Sequence, residues 1–190
     1  MSGFLYAIRV PKERIPVIIG TSGTTKNMLQ ETLGVSLDID SEEGDIQITG
    51  EDALKLFVAR EVIKAIGRGF NPDIALDLQK QDFALEIIEL KDYANTRKAL
   101  LRKRGRVIGE KGRARSTIEN LTDTKISVYG KTIGIIGRVE DANAARRAVE
   151  ALLEEATHAG VYKTLEKHRA EQRKKEALWI REDIPEELKD

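Results

Sequence analysis

Two short segments of this chain carry the residue types that a phosphate-gripping loop needs. In "IIGTSGTTKNML", residues 18–29, Gly20 and Gly23 bracket the hydroxyls of Thr21 and Ser22. In "VIGEKGRARSTIENL", residues 107–121, Gly109 and Gly112 bracket Glu110 and Lys111. Glycine lets a loop approach a sugar–phosphate chain without side-chain collision, and helix ends leave backbone N–H groups free for anionic oxygens. Arg106, Arg113 and Arg115 flank the second pair with guanidinium groups suited to phosphates and bases. Only Lys26 stands near the first pair, so its electrostatic pull is expected to be weaker. Taken alone, either pair reads more simply as a corner between two helices that needs glycine for its dihedrals.

The elements around the two pairs decide between these readings, because they recur. "FLYAIRV" reads as a strand, "KERIPVII" leads into Gly20, and "TTKNMLQETLG" has a helical stripe of Met28, Leu29 and Leu33 ending at Gly34. "VSLDID" and "DIQITG" alternate apolar and polar residues around the turn "SEEG", the pattern of a hairpin with one buried face. "EDALKLFVAREVIKAIGRG" is an amphipathic helix with acids expected in its first turn, where the helix dipole favours them.

The second half repeats this order. "FALEIIEL" is a strand, and "TRKALLRKRGRVI" is a basic helix leading to Gly109. "RARSTIENLTD" is a helix, "TKISVYG" and "KTIGIIG" form the hairpin, and "RVEDANAARRAVEALLEEA" is an alanine-rich helix. Gly20 and Gly109 are 89 residues apart but Gly50 and Gly137 only 87, so the second copy is two residues shorter in its hairpin turn. A chance turn does not return inside the same series of elements.

Length and composition fit two small units with proper cores: 190 residues, 41% hydrophobic and 34% charged. No apolar run approaches the ~18 residues of a membrane span. The start "MSGFLYAIRVPKE" is charged too soon for a signal peptide, and without cysteine there is neither a disulfide framework nor a thiolate metal site. A cytoplasmic protein is the simplest expectation. The formal net charge of zero argues against a polyanion partner until its clustering is seen. Between Arg97 and Arg115 stand nine Lys/Arg against the single acid Glu110. A local basic patch attracts a polyanion even on a neutral chain, because salt screens fields beyond ~10 Å.

Two GxxG loops in matching β-α-GxxG-α-β-β-α frames match the KH module, whose loop clamps four nucleotides of a single strand. The expected fold is α+β: two tandem type I KH domains, each a three-stranded antiparallel sheet with three helices on one face. The expected bounds are residues 1–70 for the first, 71–81 for a linker, 82–160 for the second and 161–190 for a charged helical extension. Candidate RNA contacts in the second unit are Arg102, Arg106, Ile108, Gly109, Glu110, Lys111, Gly112, Arg113, Arg115, Ser116 and Lys125. Those in the first unit are Gly20, Thr21, Ser22 and Gly23. Glu110 is expected to point to solvent. Ile108, Ile118, Ile126 and Val128 are the expected apolar floor, although core packing alone accounts for them. Lys125 and Ser127 fall on the opposite face of their strand by alternation, where they could equally be solvated.

"IGEKGRARSTIENLTDTKISVYGKTIGIIG" followed by "VYKTLEKHR" resembles the C-terminal KH region of the ribosome-biogenesis proteins known as Dim-two or partner of Nob-one. The short chain looks archaeal. The resemblance implies a small-subunit assembly factor that binds single-stranded RNA near the 3′ end of 16S-type rRNA, beside the endonuclease that trims that end. Archaeal relatives are also linked to the α subunit of translation initiation factor two. Eukaryotic members have usually lost the first GxxG, whereas this chain keeps Gly20 and Gly23, so a purely structural first unit does not carry over.

Other apparent signs of chemistry fail. "YGKT", residues 129–132, lies between two strands and lacks the first glycine of a nucleotide-binding P-loop. His158 and His168 have no second metal-binding pair, and the many carboxylate pairs read as solvated faces. Neither enzyme activity, cofactor nor metal is expected. The tail reads as a solvated helix with i,i+4 pairs such as Glu171–Lys175, or as a docking element through Leu178, Trp179 and Ile180. A protein-interaction scaffold and a KH subunit of RNA-decay machinery are the competing functions; the absence of an S1 segment counts against the latter.

Overall fold

The computed structural model describes residues 3–182, with side chains through residue 178. Strands β1 (Phe4–Arg9), β2 (Ser36–Asp40) and β3 (Asp45–Gly50) form one antiparallel sheet, and β4 (Phe83–Glu89), β5 (Lys125–Tyr129) and β6 (Thr132–Arg138) form another. The orders β1-β3-β2 and β4-β6-β5 are the same. Helices α1 (Ile15–Ile19), α2 (Thr24–Leu33) and α3 (Ala53–Gly67) belong to the first unit, and α5 (Arg97–Ile108), α6 (Arg113–Thr122) and α7 (Val139–Leu153) to the second. A short α4 (Pro72–Ala75) lies between them, and α8 (His158–Glu182) follows. The fold is the expected pair of type I KH domains.

Alternation sets which strand faces are buried. Ile46 and Ile48 on β3 and Leu37 on β2 face the helices and are buried, while Asp38 and Gln47 face solvent. The hairpin pairs Asp40 with Asp45 across four residues, and Tyr129 with Thr132 across two, which locates the two-residue difference between the copies. Asp52 does not sit in the first turn of α3, as expected of it. It is the N-cap, accepting the Leu54 and Lys55 N–H groups at 2.8 and 3.1 Å. Such a cap is worth about 1 kcal/mol.

The two sheets differ in what covers their outer faces. That of the first sheet is open, with Leu5 57% exposed, whereas β6 is buried from Thr132 to Gly137. On one side of β6, Ile133 and Ile135 pack into the second core with Ile118, Val149 and Leu152. On the other, Ile136 joins the first core with Ile66, Phe70 and Leu78, and Phe83 and Leu85 of β4 pack against the same cluster. A Cβ on Gly134 would lie 2.6 Å from the Phe70 ring, and one on Gly69 would lie 2.6 Å from Ser127 Oγ. The Ser127 hydroxyl donates to the Arg68 carbonyl at 3.0 Å, the Arg14 guanidinium stands 5.7 Å from the Tyr129 ring centre, and the Tyr129 hydroxyl donates to Glu13. Ser127 is therefore not solvated; it is part of the joint between the units.

Two segments expected to lie outside the domains contribute to their cores. Within 71–81, read as a linker, Ala75 and Leu78 are buried in the first core. Residue 161 does not begin a separate tail, because α8 starts at His158 and buries Val161 and Leu165 in the second core. Further along, α8 is tied to the start of α7 by His168 to Asp141 at 3.0 Å, Gln172 to Glu140 at 2.7 Å and Arg138 to Glu176 at 3.6 Å. Lys175 reaches Glu140 rather than the expected Glu171. Leu178 is 59% exposed, and the Trp179 and Ile180 side chains lie outside the described residues.

The joint generates a stability prediction. Gly134→Val places methyl groups where the Phe70 ring sits and should lower unfolding free energy by about 1–3 kcal/mol in a denaturant titration. Adding Phe70→Leu should recover part of that loss; equal stability of Gly134→Val and the parent would contradict the packing.

Candidate nucleic-acid interface

The two GxxG loops have the same backbone. Gly20 and Gly109 have φ/ψ of 72°/178° and 73°/177°. Ser22 and Lys111 follow at 53°/29° and 53°/28°, and Gly23 and Gly112 at 78°/9° and 79°/7°. A left-handed non-glycine residue costs roughly 1–2 kcal/mol, and both loops accept that cost at the same position. The first glycine of each is also required by contact. A Cβ on Gly109 would lie 2.7 Å from the Ala114 nitrogen, and one on Gly20 would lie 2.8 Å from the Thr25 nitrogen. The second glycines, by contrast, have nothing within 4 Å of a Cβ, so the loop surface there is open.

Each loop leads directly into a helix without a side-chain cap. Gly23 is the N-cap of α2 and Gly112 that of α6, and neither offers an oxygen to the first N–H groups. Free N–H groups at a helix start carry about half a positive charge and suit an anion such as a phosphate. Thr21, Ser22, Glu110, Lys111, Arg113, Arg115 and Ser116 are all exposed around these openings. Arg115 lies 3.8 Å from Glu119, which in turn accepts the Ile126 N–H at 2.7 Å.

The basic run divides across α5. Lys103 Nζ donates to the Leu153 carbonyl, and Arg106 donates to the Leu152 and Ala156 carbonyls at 2.9 and 2.6 Å. Leu152 and Leu153 are end residues of α7, whose carbonyls lack intrahelical partners, and Ala156 lies in the turn before α8. Arg102 and Lys103 pair with Glu155 at 2.8 and 3.2 Å, and His158 Nε2 contacts the Arg106 carbonyl at 2.9 Å. Arg102 and Arg106, candidates for RNA, are thus engaged with the α7–α8 corner. The hydrogen bond from Lys103, then the charges of Arg102 and Lys103, hold the Glu155 carboxyl below its ordinary value. Its contribution is present above the unfolded carboxylate pKa and is lost as pH falls through the lowered one.

The apolar candidates also separate. Ile118 and Ile126 are buried in the second core and Val128 packs against it. Ile108 is half-buried and is the apolar residue presented at the loop. Lys125 is exposed, on the strand face opposite Ile126. In the first unit Lys12, Ile15, Pro16, Ile19, Gly20 and Ser41 line a groove of about 320 Å³ beside the loop. Lys12 and Pro16, eight and four residues before Gly20, line that groove without having been sequence candidates. Among the described residues no cluster of His, Asp and Glu could hold a metal ion, and no helix is long and apolar enough to cross a membrane.

Residues 84–170 match the eukaryotic-type KH domain (KH domain type I), and residues 6–65 match the KH domain. A KH domain-containing protein of Methanocaldococcus jannaschii is 42% identical over 95% of this chain and 82% of its own length. The pre-rRNA-processing protein pno1 of Emericella nidulans is 34% identical over 56% of this chain, which spans only 43% of that protein. Among solved structures, a chain in the a/eIF2alpha–aDim2p–rRNA complex of Pyrococcus horikoshii superposes with a TM-score of 0.84. It is 40% identical, over 89% of this chain and 96% of its own.

The division of α5 is testable by stability alone. Arg106→Ala takes a partner from the Leu152 and Ala156 carbonyls and should cost about 1–3 kcal/mol in chemical denaturation. Arg113→Ala, at an exposed position, should stay within about 0.5 kcal/mol of the parent. Comparable stability losses in the two variants would undo this assignment.

Proposed function

The chain belongs to the tandem-KH family of Dim2p and partner of Nob-one, and from that membership we infer that it grips single-stranded RNA during maturation of the small ribosomal subunit. The observation that carries the reading is the shared left-handed backbone of the two GxxG loops, each opening onto an uncapped helix start. The target is the 3′ end of 16S-type rRNA. Phosphates sit against the loop and the N–H groups of α6, with Lys111, Arg113 and Arg115 around them, and a base lies toward Ile108. Loop Gly20–Gly23 takes a second stretch of the same strand. Its grip is weaker because hydroxyls replace the cations.

The chain acts as a binder, not an enzyme. The depressed carboxyls Asp45, Glu140 and Glu155 owe their shifts first to hydrogen bonds from Arg9, Gln172 and Lys103, respectively, not to convergence on a shared cavity. In this reading the chain acts in the cytoplasm, beside the endonuclease that trims the same end. A second, compatible reading is protein docking on the first unit, favoured by exposed Phe4, Leu5, Tyr6, Leu54 and Phe57 on edge strand β1 and helix α3. The α subunit of translation initiation factor two is the partner this reading names, since the Pyrococcus complex joins such a subunit, a Dim2p and rRNA.

Binding of an RNA with the 16S 3′-terminal sequence, measured across a salt series, tests the reading. Glu110→Asp with Lys111→Asp faces the phosphates with two acids and should weaken binding by at least tenfold, about 1.4 kcal/mol. Thr21→Asp with Ser22→Asp should matter less. Affinity should fall with salt by a slope of about −0.7 per phosphate contact. A folded Glu110/Lys111 variant that binds as tightly as the parent would remove the clamp assignment.

A further inference from the structure

Strand β1 is an open edge of the first sheet, paired among the described residues with β3 alone. The Val10 N–H donates to the Gly44 carbonyl at 2.9 Å, so by alternation Phe4, Tyr6 and Ile8 turn their backbone groups toward β3. Leu5, Ala7 and Arg9 turn theirs outward, to the free edge. Edge strands are commonly blunted by Lys, Pro, a bulge or an inward-pointing charge. β1 has none of these in Phe4–Arg9, and its one charge, Arg9, stands at the end and is held by Asp45 at 2.7 Å. Along the edge, Phe4, Leu5 and Tyr6 of β1 and Phe57 of α3 are 38–57% exposed.

The second unit is a control for this surface. Strand pairing sets Phe4, Leu5 and Tyr6 against Gly50, Thr49 and Ile48, and Ala84, Leu85 and Glu86 against Gly137, Ile136 and Ile135. Ala84 and Glu86 therefore stand where the first unit has Phe4 and Tyr6. Helices α3 and α7 both have fifteen residues, and counting from their N-caps sets Asn143 at the place of Phe57 and Arg146 at that of Arg60. Arg146 pairs with the Glu86 carboxylate, whereas Arg60 lies 5.3 Å from the Tyr6 ring centre and 5.1 Å from that of Phe57. Leu5 alone keeps a large apolar counterpart, Leu85, and that residue packs against the first core. The fold itself does not require Phe4, Tyr6 or Phe57 to be apolar, and a contiguous exposed patch of this kind marks an interaction surface.

We propose that this face binds a second copy of the chain, with β1 pairing antiparallel to its counterpart across a two-fold axis at Leu5. The outward N–H and C=O groups of Leu5 then bond to those of the other Leu5, and those of Ala7 to Gly3. The axis stands at the middle of the exposed run Phe4–Tyr6, so each Phe4 lies opposite a Tyr6 and Phe57 of α3 lies alongside. Arg9 falls beyond the paired residues, and no like charges meet. The same patch serves both copies, as a two-fold interface demands. Its four side chains offer roughly 350 Å² per copy, given the size of such groups. The total stays below about 1,200 Å², which fits a reversible dimer rather than a permanent one. Strand β2, which follows the Gly20–Gly23 loop and α2, is the opposite edge of the sheet. Another protein docked on this face, as in the second reading above, would have to displace the second copy.

Sedimentation velocity of the full-length chain from about 1 to about 300 μM should show monomer passing to dimer, half-associated on the order of 50 μM. Phe4→Ala/Tyr6→Glu/Phe57→Asn gives the first unit the residues that the second holds at the same places, with a carboxylate beside Arg60. It should weaken association by at least about tenfold and melt like the parent. Leu178→Glu, which changes an exposed leucine of α8, should associate like the parent. Because the chain has no cysteine, single cysteines report the register. Leu5→Cys should form a disulfide-linked dimer under mild oxidation, since the two Cα atoms at the axis stand about 5.5 Å apart. Ala7→Cys should not, since its two copies stand more than about 12 Å apart along the strands. A parent that stays monomeric throughout overturns the proposal, and loss of α-subunit binding by the triple variant would then give the face to that partner. Association that survives the triple variant, or that Leu178→Glu loses equally, also overturns it. So does cross-linking of Ala7→Cys in place of Leu5→Cys.

Discussion

In each unit the first glycine of the GxxG loop lies against the start of the following helix more closely than any side chain allows. A Cβ on Gly109 would meet the Ala114 nitrogen and Cβ at 2.7 and 2.6 Å. That contact turns the chain sharply between α5 and α6, forces the next residues into left-handed backbone, and leaves the start of α6 without a capping side chain. Each consequence serves the same end. The turn sets two helices at a corner, the second glycine keeps the corner open, and the uncapped N–H groups supply partial positive charge where an anion can reach it. The same three consequences follow at Gly20, although "GTSG" and "GEKG" share only their glycines.

The second level of organisation is the joint between the units. Gly134 and Gly69 bring Phe70, Ser127 and Tyr129 into contact across it, and Ile136 of the second sheet is part of the first core. Two loops held on such a body stand at a fixed separation, which suits a single strand passing from one to the other. In the proposed function, binding at one loop would raise the effective concentration of the strand at the other, a gain without added contact area at either. Within the second unit, α5 closes the end of α7 through Lys103 and Arg106.

Much of this was legible in the sequence, and the reason differs by feature. The element order and the hairpin difference followed from duplication and from strict alternation in "VSLDID" and "TKISVYG". The loop conformation followed from glycine spacing in a repeated frame. Less legible was the fate of individual cations. Charge counts put Arg102 and Arg106 with the RNA contacts, but their partners Leu152, Glu155 and Ala156 lie about 50 residues away. The helical angle held a clue for Lys103 alone, which lies one turn before buried Val107 on the same side of α5. The joint was hidden for a similar reason. "TIGIIG" does not alternate, and an unbroken apolar strand with interior glycines is the pattern of burial on both faces. The start of α8 was misjudged because its charged composition masks Val161 and Leu165 at one helical spacing.

The central claim is that the loop and the start of α6 hold the RNA backbone. Titrating the isotopically labelled full chain with RNA of the 16S 3′-terminal sequence, and following each backbone amide by NMR, tests it most directly. The account predicts the largest amide shifts from Gly109 to Arg115, with smaller ones from Gly20 to Lys26 and unperturbed amides at the α7–α8 corner. Saturable binding that leaves the amides of both loops in place while moving those of another surface would contradict it.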